Sequence, residues 1–128
     1  MAEERDLKTA PAGEREAAAA EEAKVAIDAL RRRIDSIDDQ LMRLLNSRSA
    51  CAVEIGRVKR SLGLPVYSPE REAWILDRVM RENPGPLDAM AVRRVFERVI
   101  DESRRLERLA MDEEAQRTGE EARKKGEE

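Results

Sequence analysis

A seven-residue repeat constrains this chain more than any other feature. Ile27, Ile34, Leu41, Arg48, Ile55 and Leu62 form one series, and Leu30, Ile37, Leu44, Cys51 and Val58 form a second. Together they make an a/d heptad over five repeats, with Arg48 as the one violation. No proline interrupts the repeat, and Gly63 and Pro65 follow it as a helix stop. A helix from 27 to 62 is about 54 Å long at 1.5 Å per residue. A globule of this domain's size has a diameter of only about 30 Å. The helix overshoots any globule its own chain could build, so another chain must cover its seam. The pattern predicts an all-α fold of three helices, with a very long first helix, in a homodimer.

Two further helices follow. Ser68-Pro69 is an N-cap followed by the residue best suited to the first helical position. Trp74, Ile75, Leu76, Val79 and Met80 supply the apolar face, and Asn83-Pro84-Gly85-Pro86 ends the helix. Asp88 caps a third helix. Its inward face reads Val92, Val95, Phe96, Val99, Ile100, Ser103, Leu106, Glu107 and Ala110. The predicted organisation is a disordered or frayed acidic extension over 1–24, a helical domain over 25–110, and an acidic tail over 111–128 that extends the last helix. The two ends each carry a net −3 and the middle carries +3. Basic residues in the middle are interleaved with acids, which argues against nucleic acid and fits either a solvated surface or an anion site.

Composition removes several kinds of chemistry. Aromatics are 2% of the 128 residues, too few for the runs that sheets favour. The chain contains no histidine, so the usual general base and the commonest metal ligand are missing. Its single cysteine, Cys51, forms no internal disulfide and reads as a small core residue. No metal and no cofactor are expected, so the work falls to binding, electrostatics and carboxylates. The N-terminal stretch has no apolar run long enough for a signal peptide or a membrane span, and a cytoplasmic protein is expected.

Polar residues in apolar places are the candidate site. Arg48 sits on the seam, either as a register-setting residue or as an anion-binding arginine facing a cavity. Lys59 lies eleven residues on, about three turns, and so on nearly the same face. It is the only lysine between 25 and 110, against sixteen arginines, and the two side chains are not equivalent donors. Ser103 and Glu107 fall at i and i+4 on the third helix. Either that helix leaves the core there, or the pair points into the same cavity. Arg71 and Glu72 open the second helix and, taken alone, read as surface residues.

Taken together, ALRRRIDSIDDQLMRLLNSRSACAVEIGRVK, GLPVYSPERE and VFERVIDESRRLE closely resemble the all-helical chorismate mutase family over residues 27–108. The resemblance implies an intertwined homodimer with shared active sites. It implies rearrangement of chorismate to prephenate in phenylalanine and tyrosine biosynthesis, a step that needs no cofactor. By the same resemblance, Arg31 reaches into the partner's site. Arg31 and Lys59 are about 42 Å apart along one helix, which agrees with that role. Arg48 would bind a substrate carboxylate, and Lys59 would donate to the ether oxygen and a carboxylate. Arg71 and Glu72 would be the loop arginine and the acceptor for the ring hydroxyl. Ser103 would hold a carboxylate, and Glu107, where relatives carry glutamine or glutamate, would be the second ether-oxygen donor. Ser68 replaces an aspartate common in the family, leaving it as a hydroxyl ligand or simply a helix cap. Two other functions fit the same residues: an isochorismate-pyruvate lyase of the same fold, and a non-catalytic dimer module docking on another shikimate-pathway enzyme. Both acidic ends lie outside the resemblance and are expected to be dispensable for catalysis.

Overall fold

The computed structural model describes residues 10–126. Residues 1–9 of the expected N-terminal extension and 127–128 of the tail lie outside the described residues. Three helices follow in order: α1 (Ala12–Ser61), α2 (Pro69–Glu82) and α3 (Ala89–Gly126). No strand occurs among the described residues. The chain divides into two compact units, Met1–Arg43 and Leu44–Glu128.

In the described part of the first unit the backbone is helical from Ala12 onward, fifteen residues earlier than the apolar repeat begins. The Ala/Glu-rich stretch has high helix propensity without an apolar face, which is why periodicity alone did not include it. Ile27, Leu30, Ile34, Ile37 and Leu41 are 47–55% exposed. Nothing in this unit covers them.

The second unit holds the last turns of α1 with all of α2 and α3, and α2 packs on α3. Val92 and Ile100 form its buried apolar centre, with Ser103 buried beside them. Val95 and Leu106, expected on the buried face of α3, are exposed, as is Trp74 of α2. Arg71 and Arg78 lie over the Trp74 ring, 4.5 and 5.3 Å from its centre. The guanidinium groups thus cover apolar surface that the core does not.

Local chemistry fixes the helix ends near the site. Gly63 adopts φ +69°, the left-handed conformation that glycine takes without a steric penalty. Its N–H donates to the Arg60 carbonyl at 3.1 Å, and the Leu64 N–H donates to the Lys59 carbonyl at 2.8 Å. This is a Schellman motif. It stops α1 one turn after Lys59 and Arg60. The Ser68 Oγ accepts from the Arg71 N–H at 3.3 Å and caps α2. The Asp88 Oδ1 accepts from the Ala91 N–H at 2.8 Å and caps α3. Gly63→Ala places a side chain in the left-handed region and should destabilise the protein by about 1 kcal/mol. Urea unfolding at fixed protein concentration measures it; an unchanged midpoint would mean the turn relaxes at no cost.

Candidate active site

A cavity of about 540 Å³ opens within the second unit. α1 contributes Arg48, Cys51, Lys59 and Arg60 to its wall; Ser68, Arg71 and Glu72 come from the start of α2. α3 contributes Ser103, Arg104, Glu107, Arg108 and Met111. Seven of the eight residues singled out from the sequence therefore meet in one place. The eighth, Arg31, belongs to the first unit, is exposed, and is not among the residues lining this cavity.

Several of the polar groups have specific partners. Arg48 Nη1 donates to the Ser103 Oγ at 3.2 Å, so the seam arginine meets the buried serine of α3. Arg48 thus lines the cavity, and Ser103 is buried on the inward side of α3. Lys59 Nζ donates to the Val66 carbonyl at 3.3 Å, across the turn that Gly63 creates. The side chain is thereby drawn over the cavity rather than out to solvent. Glu72 accepts from Arg104 Nη2. The Arg104 guanidinium also stacks on Tyr67, 4.4 Å from the ring centre. Ser68 lines the wall while spending its hydroxyl on the helix cap. Cys51, expected in the core, is exposed in the single chain and lines the cavity.

Glu107 is the carboxyl whose ionisation the site alters. Burial pushes its pKa above the ordinary carboxylate value. Lys59, Arg60 and Arg104 pull the other way, and Glu72 adds to the rise. Glu107 approaches α1 at Gly56, the one buried residue of that helix. A Cβ there would lie 3.8 Å from the Glu107 Cγ and 3.9 Å from Arg60 Nη1. Both groups therefore lie at ordinary contact distance from the same point on α1.

Six cations line the cavity (Arg48, Lys59, Arg60, Arg71, Arg104 and Arg108) against two carboxylates, Glu72 and Glu107. Among the described residues, no cluster of histidine, cysteine, aspartate or glutamate could hold a metal ion. The arrangement suits a small polyanion.

Arg60, Arg104 and Met111 also line the wall and escaped the sequence reading. One signal was present: Ser103, Glu107 and Met111 continue at four-residue spacing past Ala110. Met111 and Glu114 lie in the segment expected to be a dispensable tail, which is helical through Gly126. Glu114 pairs with Arg57 at 2.9 Å and with Arg60 at 3.3 Å.

The sequence model of the family described as chorismate mutase type II matches residues 30–108. The chain belongs to this family. It is 45% identical over 86 residues to the bifunctional chorismate mutase/prephenate dehydratase of Pseudomonas aeruginosa, covering 63% of this chain and 24% of that protein. It is 28% identical over 85 residues to the chorismate mutase of Methanocaldococcus jannaschii, covering 66% of this chain and 86% of that protein. A solved structure of chorismate mutase (form II) from Thermus thermophilus superposes with a TM-score of 0.63 at 38% identity, covering 65% of this chain and 94% of that one. The chain thus spans about a quarter of the length of the first bifunctional relative and nearly all of the single-domain structure.

Replacing Ser103 by Ala removes the acceptor for Arg48. The loss should lower unfolding stability by about 1 kcal/mol, the net value of one such hydrogen bond. Urea unfolding at fixed concentration tests this, and no change would show that Arg48 finds an equal partner in water.

Proposed function

We propose that this chain is a chorismate mutase that converts chorismate to prephenate in aromatic amino acid biosynthesis. The observation that carries the proposal is the convergence of Arg48, Lys59, Arg71, Glu72, Ser103 and Glu107 from three helices on one cationic cavity. Chorismate carries two carboxylates, and the surplus of cations can neutralise them. Arg48, oriented by Ser103, is the proposed carboxylate ligand; Arg71 is a second. Holding the enolpyruvyl chain over the ring brings the reacting carbons together without a nucleophile. As the C–O bond breaks, negative charge grows on the ether oxygen. Lys59 and a protonated Glu107 would stabilise that charge more strongly than the ground state, which is the catalytic contribution. Glu72 is the proposed acceptor for the ring hydroxyl, and Ser68 serves mainly as the cap of α2.

The exposed seam of the first unit supports a homodimer in which a second copy covers Ile27, Leu30, Ile34, Ile37 and Leu41. In that assembly Arg31 of one copy would complete the site of the other. No helix among the described residues is long and apolar enough to cross a membrane, and a cytoplasmic enzyme is the proposed setting. The bifunctional relatives join a chorismate mutase to a prephenate dehydratase, so the proposed protein partner is another shikimate-pathway enzyme.

Incubation with chorismate, and separately with isochorismate, tests the activity. Prephenate should form from chorismate. Pyruvate release from isochorismate without turnover of chorismate would instead identify a lyase, and no turnover of either by a folded dimer would leave a docking module. Lys59→Ala should lower kcat/KM by about 10²- to 10³-fold, the usual cost of losing one donor to developing charge. Mixing inactive Arg31→Ala and Lys59→Ala proteins should restore activity through heterodimers with one intact site. Absence of recovery after confirmed subunit exchange would sink the shared site.

Glu107 gives the activity a pH signature. Its raised pKa keeps it protonated to higher pH than an ordinary glutamate, and rate should fall as pH rises through that value. Glu107→Gln, a permanent neutral donor, should remain active and flatten the alkaline fall. A folded but inactive Gln variant, or one with an unchanged profile, would remove Glu107 from the donor role.

A further inference from the structure

Arg60 and Glu114 have no part in the roles proposed above, and Glu114 lies beyond the family match at residue 108. The other cations at the cavity are engaged more fully near Lys59 and Glu107. Arg48 is tied to Ser103, Lys59 to the Val66 carbonyl, and Arg104 to Glu72 and the Tyr67 ring. Arg60 is held from one side only. Its Nη2 donates to Glu114 Oε2 at 3.3 Å. Its Nη1 is buried and has no hydrogen-bond partner. Arg104 Nε is buried and unpaired as well, but its guanidinium is already bound and stacked.

The unpaired Nη1 and the Glu107 Cγ lie 3.9 and 3.8 Å from the point a Gly56 Cβ would occupy, so the two side chains border the same spot on α1. A buried donor without an acceptor is costly, so a carboxylate within reach is drawn to it. An ionised Glu107 has this seat available; a protonated Glu107 has far less reason to take it. We infer that Arg60 is a positioning residue for Glu107. Held by Glu114 from the helical extension of α3, it offers the carboxylate a place away from the substrate and so helps set the pH at which the cavity loses its neutral donor. This rests on the reading of Glu107 as a protonated ether-oxygen donor.

The groups facing Glu107 are those of the cavity wall. α1 presents Arg48, Lys59 and Arg60; α2 presents Arg71 and Glu72; α3 presents Arg104 and Arg108, with Tyr67 from the connection between α1 and α2. Burial raises Glu107 against the pull of Lys59, Arg60 and Arg104. Within that set, Arg60 is the cation whose counter-ion, Glu114, sits on the extension. Removing Arg60 or removing Glu114 should therefore act in opposite directions. Without Arg60, the ionised form of Glu107 loses a partner and is disfavoured. Without Glu114, Arg60 turns its full charge toward Glu107 and favours ionisation.

The test is the pH dependence of kcat/KM for the full chain and for Arg60→Gln, Glu114→Gln and Glu107→Gln, each checked for helicity and dimer mass. Arg60→Gln should move the alkaline fall upward by about one pH unit, the scale of one nearby opposite charge. Glu114→Gln should move it downward by about half a unit on the same basis. Arg60→Gln combined with Glu107→Gln should show no more pH dependence than Glu107→Gln alone. A purely structural role would lower activity or stability evenly and leave the fall in place, which would overturn the inference; so would a shift of both single variants in the same direction. If Glu107→Gln flattens the profile while Arg60→Gln leaves the wild-type fall unmoved, the positioning role fails and the donor reading stands. If Glu107→Gln keeps the wild-type fall, both fail. Should Arg60→Gln not fold, Glu114→Gln decides alone, because its ion pairs are partly exposed.

Discussion

Within the second unit, the placement of α1 against α3 rests on charged hydrogen bonds more than on apolar packing. Arg48 reaches Ser103, and twelve residues further along α1 Arg60 reaches Glu114, eleven residues further along α3. The two spans are about 18 and 17 Å of helix. Matching spans mean that the helices run side by side in the same direction, tied at both ends of the cavity. Lys59 and Glu107 lie between the ties. If either tie loosens, Lys59 and Glu107 lose their common frame.

This polar frame follows from how little apolar surface the single chain buries. Val92 and Ile100 are its buried large hydrophobics among the described residues, while most of the α1 seam is exposed. The heptad residues are spent on a surface that needs a second copy. What remains for holding the site is arginine, which can bridge helices with a rigid fork and cover rings with its flat face. Sixteen arginines and one lysine between 25 and 110 then read as structural economy: Arg builds the frame, and the compact ammonium is kept for the place where a frame would obstruct.

The parts of the fold legible in the sequence are those set by near neighbours in the chain. The caps at Ser68 and Asp88, the glycine stop after α1 and the break at Asn83-Pro84-Gly85-Pro86 all depend on residues within one turn, and each appears where it was expected. The early start of α1 did not show, because alanine and glutamate favour helix without leaving an apolar period. Trp74, Val95 and Leu106 have apolar character and helical spacing, yet they are exposed; periodicity marks a face but not whether its own chain covers it. The candidate site was legible where a polar residue interrupted an apolar stripe, as at Arg48 and Ser103. Arg60 and Glu114 interrupt nothing. Their meeting depends on the register between two helices fifty-four residues apart in sequence, which no local pattern carries.

The cavity's surplus of positive charge also bears on traffic through it. A cationic recess draws anions from a distance and speeds their encounter, with an effect that weakens as salt is added. In the rearrangement proposed above, substrate and product would have the same atoms and the same two carboxylates, so the recess would attract both alike. Its charge therefore contributes to capture and equally delays escape, and an excess would retain the product as an inhibitor. In the reading proposed above, Lys59 and Glu107 would face charge that appears only during the reaction, and so would favour the transition state over substrate and product alike. Glu72, the carboxylate paired with Arg104 in a wall of cations, then has a further consequence: its charge would hold the recess below the point at which what has been made could no longer leave.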